Sequence, residues 1–154
     1  MLRVRAALQT GGVSSDIVIL GEHARTAESA AEQLDVTVAQ IANSLVFALP
    51  GPAGPEALLV MTSGAHRVDT VKVAGLLGVD RLDRAHAGFV RERTGFAIGG
   101  VAPIGHPAPL RTLVDRSLAE YPEVWAAAGH PRSVFRTSYQ ELLQLTGGTA
   151  VDVV

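Results

Sequence analysis

Three stretches of this sequence hold residue types that could do chemistry. The first is Gly99-Gly100-Val101-Ala102-Pro103-Ile104-Gly105-His106-Pro107. Its paired glycines carry no side chain to block approach, and Pro103 fixes the backbone three residues on. Main-chain N–H and C=O groups are thereby offered to a small polar ligand. A surface loop crossing between sheet elements would have the same composition. The second stretch is Gly129-His130-Pro131, directly after an apolar run. A histidine at a strand end can hold or pass a proton near neutral pH, or be an ordinary loop residue. The third is Asn43, inside Ile41-Ala42-Asn43-Ser44-Leu45-Val46-Phe47-Ala48-Leu49. A buried Asn needs partners for its amide hydrogens and its oxygen. Either the main chain supplies them or the amide points into a cavity, with Ala42 and Ser44 on the opposite side of the strand.

Several other chemistries have no support. There is no G-x-x-x-x-G-K-[ST] and no H-E-x-x-H. Histidines 23, 66, 86, 106 and 130 are spread singly, so a metal site would need remote residues, and neither a metal nor a cofactor is expected. Cysteine is absent, which excludes disulfides, thiolate zinc sites and cysteine nucleophiles. Ser44, His130 and Asp115 could be written as a triad, but Ser44 lacks the G-x-S-x-G turn.

The whole chain sets wider bounds. At 154 residues, 47% hydrophobic and 18% charged, with mean hydropathy +0.26, it can bury a core and is expected to form one domain over 1–154. A net charge of −2 gives no global field to draw in nucleic acid, so any RNA contact must be local, and neither DNA nor a membrane is an expected partner. Of 13 basic residues, Lys72 is the single lysine and the rest are arginine. No apolar run approaches the roughly 20 residues of a membrane span, and the first residues do not read as a secretory signal. The expectation is a soluble, cytoplasmic protein.

The elements that must position these residues follow from periodicity and punctuation. Helical spacing covers 2–9, stopped at Gly11-Gly12, and 17–20 reads as a short strand. Thr26 caps a helix over 27–34, and Thr37 a further turn. Residues 41–49 and 57–62 form a hairpin around the three-proline turn 50–55. Helices are expected near 68–77, ended by Gly78, and over about 81–94, ended by Gly95. Strands are expected at 110–114, 124–128 and 134–136, and Ser138 caps a helix over 139–145. The tail 149–154 is loose or a short strand. Without strict βαβ alternation, this is an α+β domain on a mixed or barrel-like sheet.

Taken together, these segments resemble a known family. Thr26-Ala27-Glu28-Ser29-Ala30-Ala31-Glu32-Gln33-Leu34 and Gln40-Ile41-Ala42-Asn43-Ser44-Leu45-Val46-Phe47 come first. Ser63-Gly64 with Arg67-Val68-Asp69 and Lys72, then Gly99-Gly100-Val101-Ala102-Pro103-Ile104-Gly105, then Ala128-Gly129-His130 follow in order. The pattern is similar to the YbaK/ProX family of aminoacyl-tRNA editing domains, from about residue 23 to 145. The resemblance implies a mixed, partly closed β-barrel-like sheet with helices packed outside. It implies hydrolysis of the ester joining a wrong amino acid to the 3′ end of a tRNA, often tRNA for proline, by a free-standing domain acting in trans. A second, hydrolytic site is needed because a synthetase pocket discriminates by only roughly 1–3 kcal/mol per methylene.

By the same resemblance, Gly99, Gly100 and Pro103 fill a G-x-x-x-P loop that holds the aminoacyl ester through backbone atoms. Ser44, Ser63, Gly64, Gly105 and Gly129 join it in binding substrate. Asn43 stands where the family carries a lysine, and would orient the ester or water without bringing charge. His130 would line the amino-acid pocket, and Arg67 and Arg132 would meet acceptor-stem phosphates. A tRNA synthetase is a further implied partner. The alternatives are a module that binds tRNA ends, aminoacyl-adenylate or a synthetase without hydrolysis, and a protein acting on an unrelated small molecule.

Overall fold

A computed structural model describes residues 2–12, 16–21 and 26–154. The helices are α1 (Leu2–Thr10), α2 (Ala27–Leu34), α3 (Thr70–Leu77), α4 (Ala87–Thr94) and α5 (Tyr139–Thr146). The strands are β1 (Ile17–Ile19), β2 (Ile41–Leu49), β3 (Glu56–Ser63), β4 (Asp83–Arg84), β5 (Arg111–Asp115), β6 (Val124–Ala127), β7 (Ser133–Thr137) and β8 (Thr149–Val151). They join one mixed sheet in the order β1-β7-β6-β2-β3-β5-β8, with β4 beside β2, and the sheet does not close on itself. The α+β class and mixed sheet agree with the sequence reading. His23 lies outside the described residues.

Local chemistry sets most boundaries. The Thr26 hydroxyl accepts from the Ser29 N–H at 3.1 Å and starts α2, whose end is marked by Asp35 at φ 57°. Asp69 accepts from the Lys72 N–H and starts α3, two residues later than periodicity suggests. One expectation fails: the helix placed over 81–94 is two elements. Asp83–Arg84 pairs with Phe47 and Ala48 of β2, and α4 starts only after His86, whose Nδ1 accepts from the Phe89 N–H at 3.3 Å. A vacant edge on β2 offers backbone partners that outweigh helix propensity here.

Both faces of the sheet are covered, which explains why residues 57–63 of β3 are all buried. On one face Leu59 and Met61 meet Val4 and Leu8 of α1, Val90 of α4 and Leu142 of α5. On the other face two smaller clusters form. Ile41 and Val134 pack under Ala30 and Ala31 of α2, while Leu49, Leu58 and Val60 pack under Val73 of α3. Among the described residues, no helix is long and apolar enough to cross a membrane.

Candidate functional site

The site begins with an interruption in the sheet. β2 pairs with β3 from Ala42 to Leu49, but its other edge is shared between two short partners. β6 covers Ile41 and Ala42, and β4 covers Phe47 and Ala48. Residues 43–46 have no strand on that side. Antiparallel residues turn their N–H and C=O alternately to one neighbour and the other. The Ile41 C=O accepts from the Gly64 N–H at 2.7 Å, so Ile41, Asn43 and Leu45 turn their main chain to β3. Ser44 and Val46 therefore present theirs to the open edge.

Side chains follow the same alternation. Ile41 lies in the cluster under α2, and Phe47 and Leu49 belong to the cluster under α3. Asn43 and Leu45 share that face and fall between the two helices. Asn43 is half-buried and lines a cavity of about 320 Å³. Its amide makes no hydrogen bond to any described residue, which fits the cavity-facing alternative. The walls are apolar: Ala27 and Ala30 of α2, Ile41, Val134, and Trp125, which lies beside Ile41 in the β2–β6 register. A second cavity of about 230 Å³, reaching Val46, Phe47, Arg84 and Val90, adjoins the first. Ser44, Leu45, Ile98, Gly99 and Val101 line both.

The double-glycine segment borders the open edge. Gly99 has φ +90°, a left-handed value that glycine adopts without strain. Gly100 is buried, and a Cβ on it would stand 2.9–3.0 Å from the backbone of His130 and Pro131. The Gly99-Gly100 and Gly129-His130-Pro131 segments are thus brought into direct contact. The Gly100 N–H closes a turn onto the Ala97 carbonyl at 3.0 Å and is not free for a ligand. Among the described residues, the N–H groups of Gly99 and Val101 have no partner. His130 is exposed at this rim, and its Nδ1 accepts from the Arg132 N–H at 3.2 Å. The proton of the neutral ring then sits on Nε2.

The remaining expected site residues are dispersed, some at the cavities and some away from them. The Ser44 hydroxyl points to the Met61 sulfur (3.3 Å) on the opposite face, leaving Ser44 to border the cavity with its main chain. Ser63 is buried, and its hydroxyl donates to the Ala39 carbonyl at 2.9 Å. Gly64 is required by packing: a Cβ would meet the Val38 carbonyl at 2.5 Å. Pro103 and Gly105 line a separate hollow of about 660 Å³ between α1 and α5. Gly129, at φ +99°, shapes the turn that presents His130. Arg67 is exposed after β3, and Arg132 is half-buried; neither lines the two cavities at β2.

Ser44, His130 and Asp115 do not meet. Asp115 is 2% exposed and instead accepts from the Ser63 N–H (3.0 Å), the Ser117 N–H (3.0 Å) and the Ser117 hydroxyl (2.8 Å), with the His66 Nδ1 at 2.8 Å. This cluster ties the ends of β3 and β5 together. Among the described residues, no three His, Asp or Glu side chains gather as a metal site.

Sequence reasoning missed Trp125 and Ile98. For Trp125 a signal existed: Val124 and Ala126 alternate into the main core, so Trp125 must face the α2 side. The place of Ile98, 55% exposed over the cavities, depends on how an irregular segment folds and had no periodic signal.

Comparison with known proteins adds independent findings. The family model described as aminoacyl-tRNA editing domain matches residues 21–145. A proline–tRNA ligase of Leuconostoc citreum is 30% identical over 123 residues, covering 79% of this chain and 21% of that one. The chain thus spans about a fifth of such a ligase. A chain of Enterococcus faecalis, named as a candidate Cys-tRNA(Pro)/Cys-tRNA(Cys) deacylase, is 25% identical over 128 residues, covering 83% of this chain and 76% of its own. A crystal structure of a candidate trans-editing enzyme for prolyl-tRNA synthetase superposes with TM-score 0.88 at 45% identity, covering 99% of this chain and 94% of that one.

Proposed function

This chain belongs to the aminoacyl-tRNA editing domain family, and from that membership we propose that it is a trans-acting deacylase for mischarged tRNA. The single observation that carries the reading is the half-buried, unpartnered Asn43 amide in an apolar cavity at a break in the sheet. The acyl side chain lies against Ala27, Ala30, Trp125 and Val134. The ester carbonyl reaches the break, where the main-chain donors of Ser44, Val46, Gly99 and Val101 await a partner.

Hydrolysis requires water to add to that carbonyl, which puts negative charge on its oxygen. Fixed N–H donors facing the developing oxyanion lower that barrier, with losses of roughly 2.7–4 kcal/mol on removing one elsewhere. Asn43 donates to the carbonyl or orients the water. The C–O bond to the ribose then breaks, and the proton given up by the attacking water passes through solvent to the leaving ribose oxygen. His130 stands at the rim with Nε2–H as its free donor and hydrogen-bonds that oxygen as it leaves. Asn43 cannot act as a base, so its part is orientation.

The apolar lining, with no charged side chain among the described residues, favours an uncharged amino-acid side chain. tRNA for proline, a synthetase partner and the cytoplasm, where charged tRNAs reside, complete the proposal. The tRNA and the synthetase draw support from the relatives named above. A second reading is a module that binds aminoacylated ends without cleaving them, favoured by the lack of an acid or base among the described residues lining the Asn43 cavity, whose Thr26 and Ser44 hydroxyls point to Ser29 and Met61. A panel of mischarged tRNAs separates the two. Catalytic release of an amino acid, reduced in Asn43→Ala, supports the deacylase. Saturable binding with no release supports the module.

A further inference from the structure

Among the described residues, the two cavities at the break in β2 are lined by a single charged side chain, Arg84. No Asp or Glu among the described residues borders either cavity. The register opposes Arg84 to Phe47, and directly opposed residues project from the same face. Arg84 therefore shares the face that carries Asn43, four residues or about 14 Å farther along β2. Its guanidinium makes no hydrogen bond or ion pair with any described residue. Arg81 and Arg93, which flank it in sequence, are engaged: Arg81 pairs with Asp83, and Arg93 donates to the Pro55 carbonyl and covers Phe89. A planar fork with five donors suits one ligand chemistry above others, a bidentate oxyanion such as a phosphate diester.

We propose that Arg84 is a phosphate-binding residue of this site: it grips the phosphodiester on the 5′ side of the terminal nucleoside while the ester on its ribose lies by Asn43. The inference rests on the deacylase reading and adds to it a second anchor, without which the neutral Asn43 cavity would hold the substrate by its acyl group alone.

The test uses the intact chain and two hydrolysis-resistant ligands, amide-linked aminoacyl-adenosine with and without a 5′-phosphate. Wild type should bind the phosphorylated ligand roughly ten- to a hundredfold more tightly, the range of a charge-assisted contact. Arg84→Gln should bind both alike, at the unphosphorylated affinity of wild type, which also verifies an intact fold. Arg84→Lys should recover part of the preference. A preference that survives Arg84→Gln, or is absent from a wild type that hydrolyses aminoacyl-tRNA, overturns the inference alone. So does inorganic phosphate displacing the phosphorylated ligand at comparable affinity, because the site would then take free phosphate. A wild type that binds neither ligand and hydrolyses no aminoacyl-tRNA overturns the deacylase reading itself.

Discussion

Gly100 and His130 are held together by an absent side chain: a Cβ on Gly100 would stand 2.9–3.0 Å from the His130 and Pro131 backbone. Neither neighbour can yield as a flexible side-chain tip would. Gly100→Ala must move the Gly99 segment away from His130, at a cost of about 1–3 kcal/mol as in other overpacked sites. Thermal melts should show the lower stability, and deacylation should fall further than the melting temperature explains.

Asn43→Ala should act on chemistry and spare the fold, because no described residue hydrogen-bonds that amide. A lost neutral hydrogen bond of about 0.5–1.5 kcal/mol corresponds to a roughly two- to twelvefold slower release of amino acid. Unfolding in urea should be nearly unchanged. Asn43→Lys should strengthen binding of the anionic substrate; equal affinity for wild type and this variant would mean that the acyl end does not lie here.

Asp115 governs acid stability. Burial pushes its carboxyl up, but hydrogen bonds from Ser63, Ser117 and His66 outweigh it and leave it below the usual carboxylate range. A folded-state value below the unfolded one means stabilisation that is present above about pH 3.9 and lost as pH falls through the folded value. Asp115→Asn should cost roughly 1.5–3 kcal/mol at neutral pH and flatten the decline below pH 4. Urea melts at several pH values measure both.

His106 works in the window above that. Burial, the larger effect, lowers its pKa, as does nearby Arg3, while a hydrogen bond to the Ala102 carbonyl (2.7 Å) partly opposes them. The unfolded chain then binds more protons, so stability is full above about pH 6.5 and falls on acidification through the lower folded value. A variant with no titratable ring, His106→Gln, should lose this dependence between pH 7 and 5, read by melting temperature.

The sequence announced most of the scaffold, and the reasons are local. Thr26, Ser138 and the three-proline turn determine chain direction within a few residues, and each does so in the structure. Residue chemistry flags the Gly99-Gly100 bend and the Gly129 turn separately, the family resemblance assigns both to substrate, and the fold puts them in contact. Arg84 was hidden because residues 81–94 carry helix formers, whereas the vacant edge of β2, a tertiary feature, recruits Asp83 and Arg84 as strand. The family resemblance assigns Pro103 and Gly105 to the substrate, and the chain carries them to the hollow beside α1. Asp115 enters only as a member of a conceivable triad with Ser44 and His130, because its actual partners arrive from β3 and from His66.

The most direct test of the Asn43 cavity as the ester-binding site uses Trp125, the one tryptophan of the chain and a wall of that cavity. Its emission can be followed while an amide-linked aminoacyl-adenosine is titrated into a deacylation assay. The expected result is a single curve, with the change in emission and the inhibition of release sharing one midpoint. Inhibition that leaves the emission of Trp125 unchanged would contradict the account.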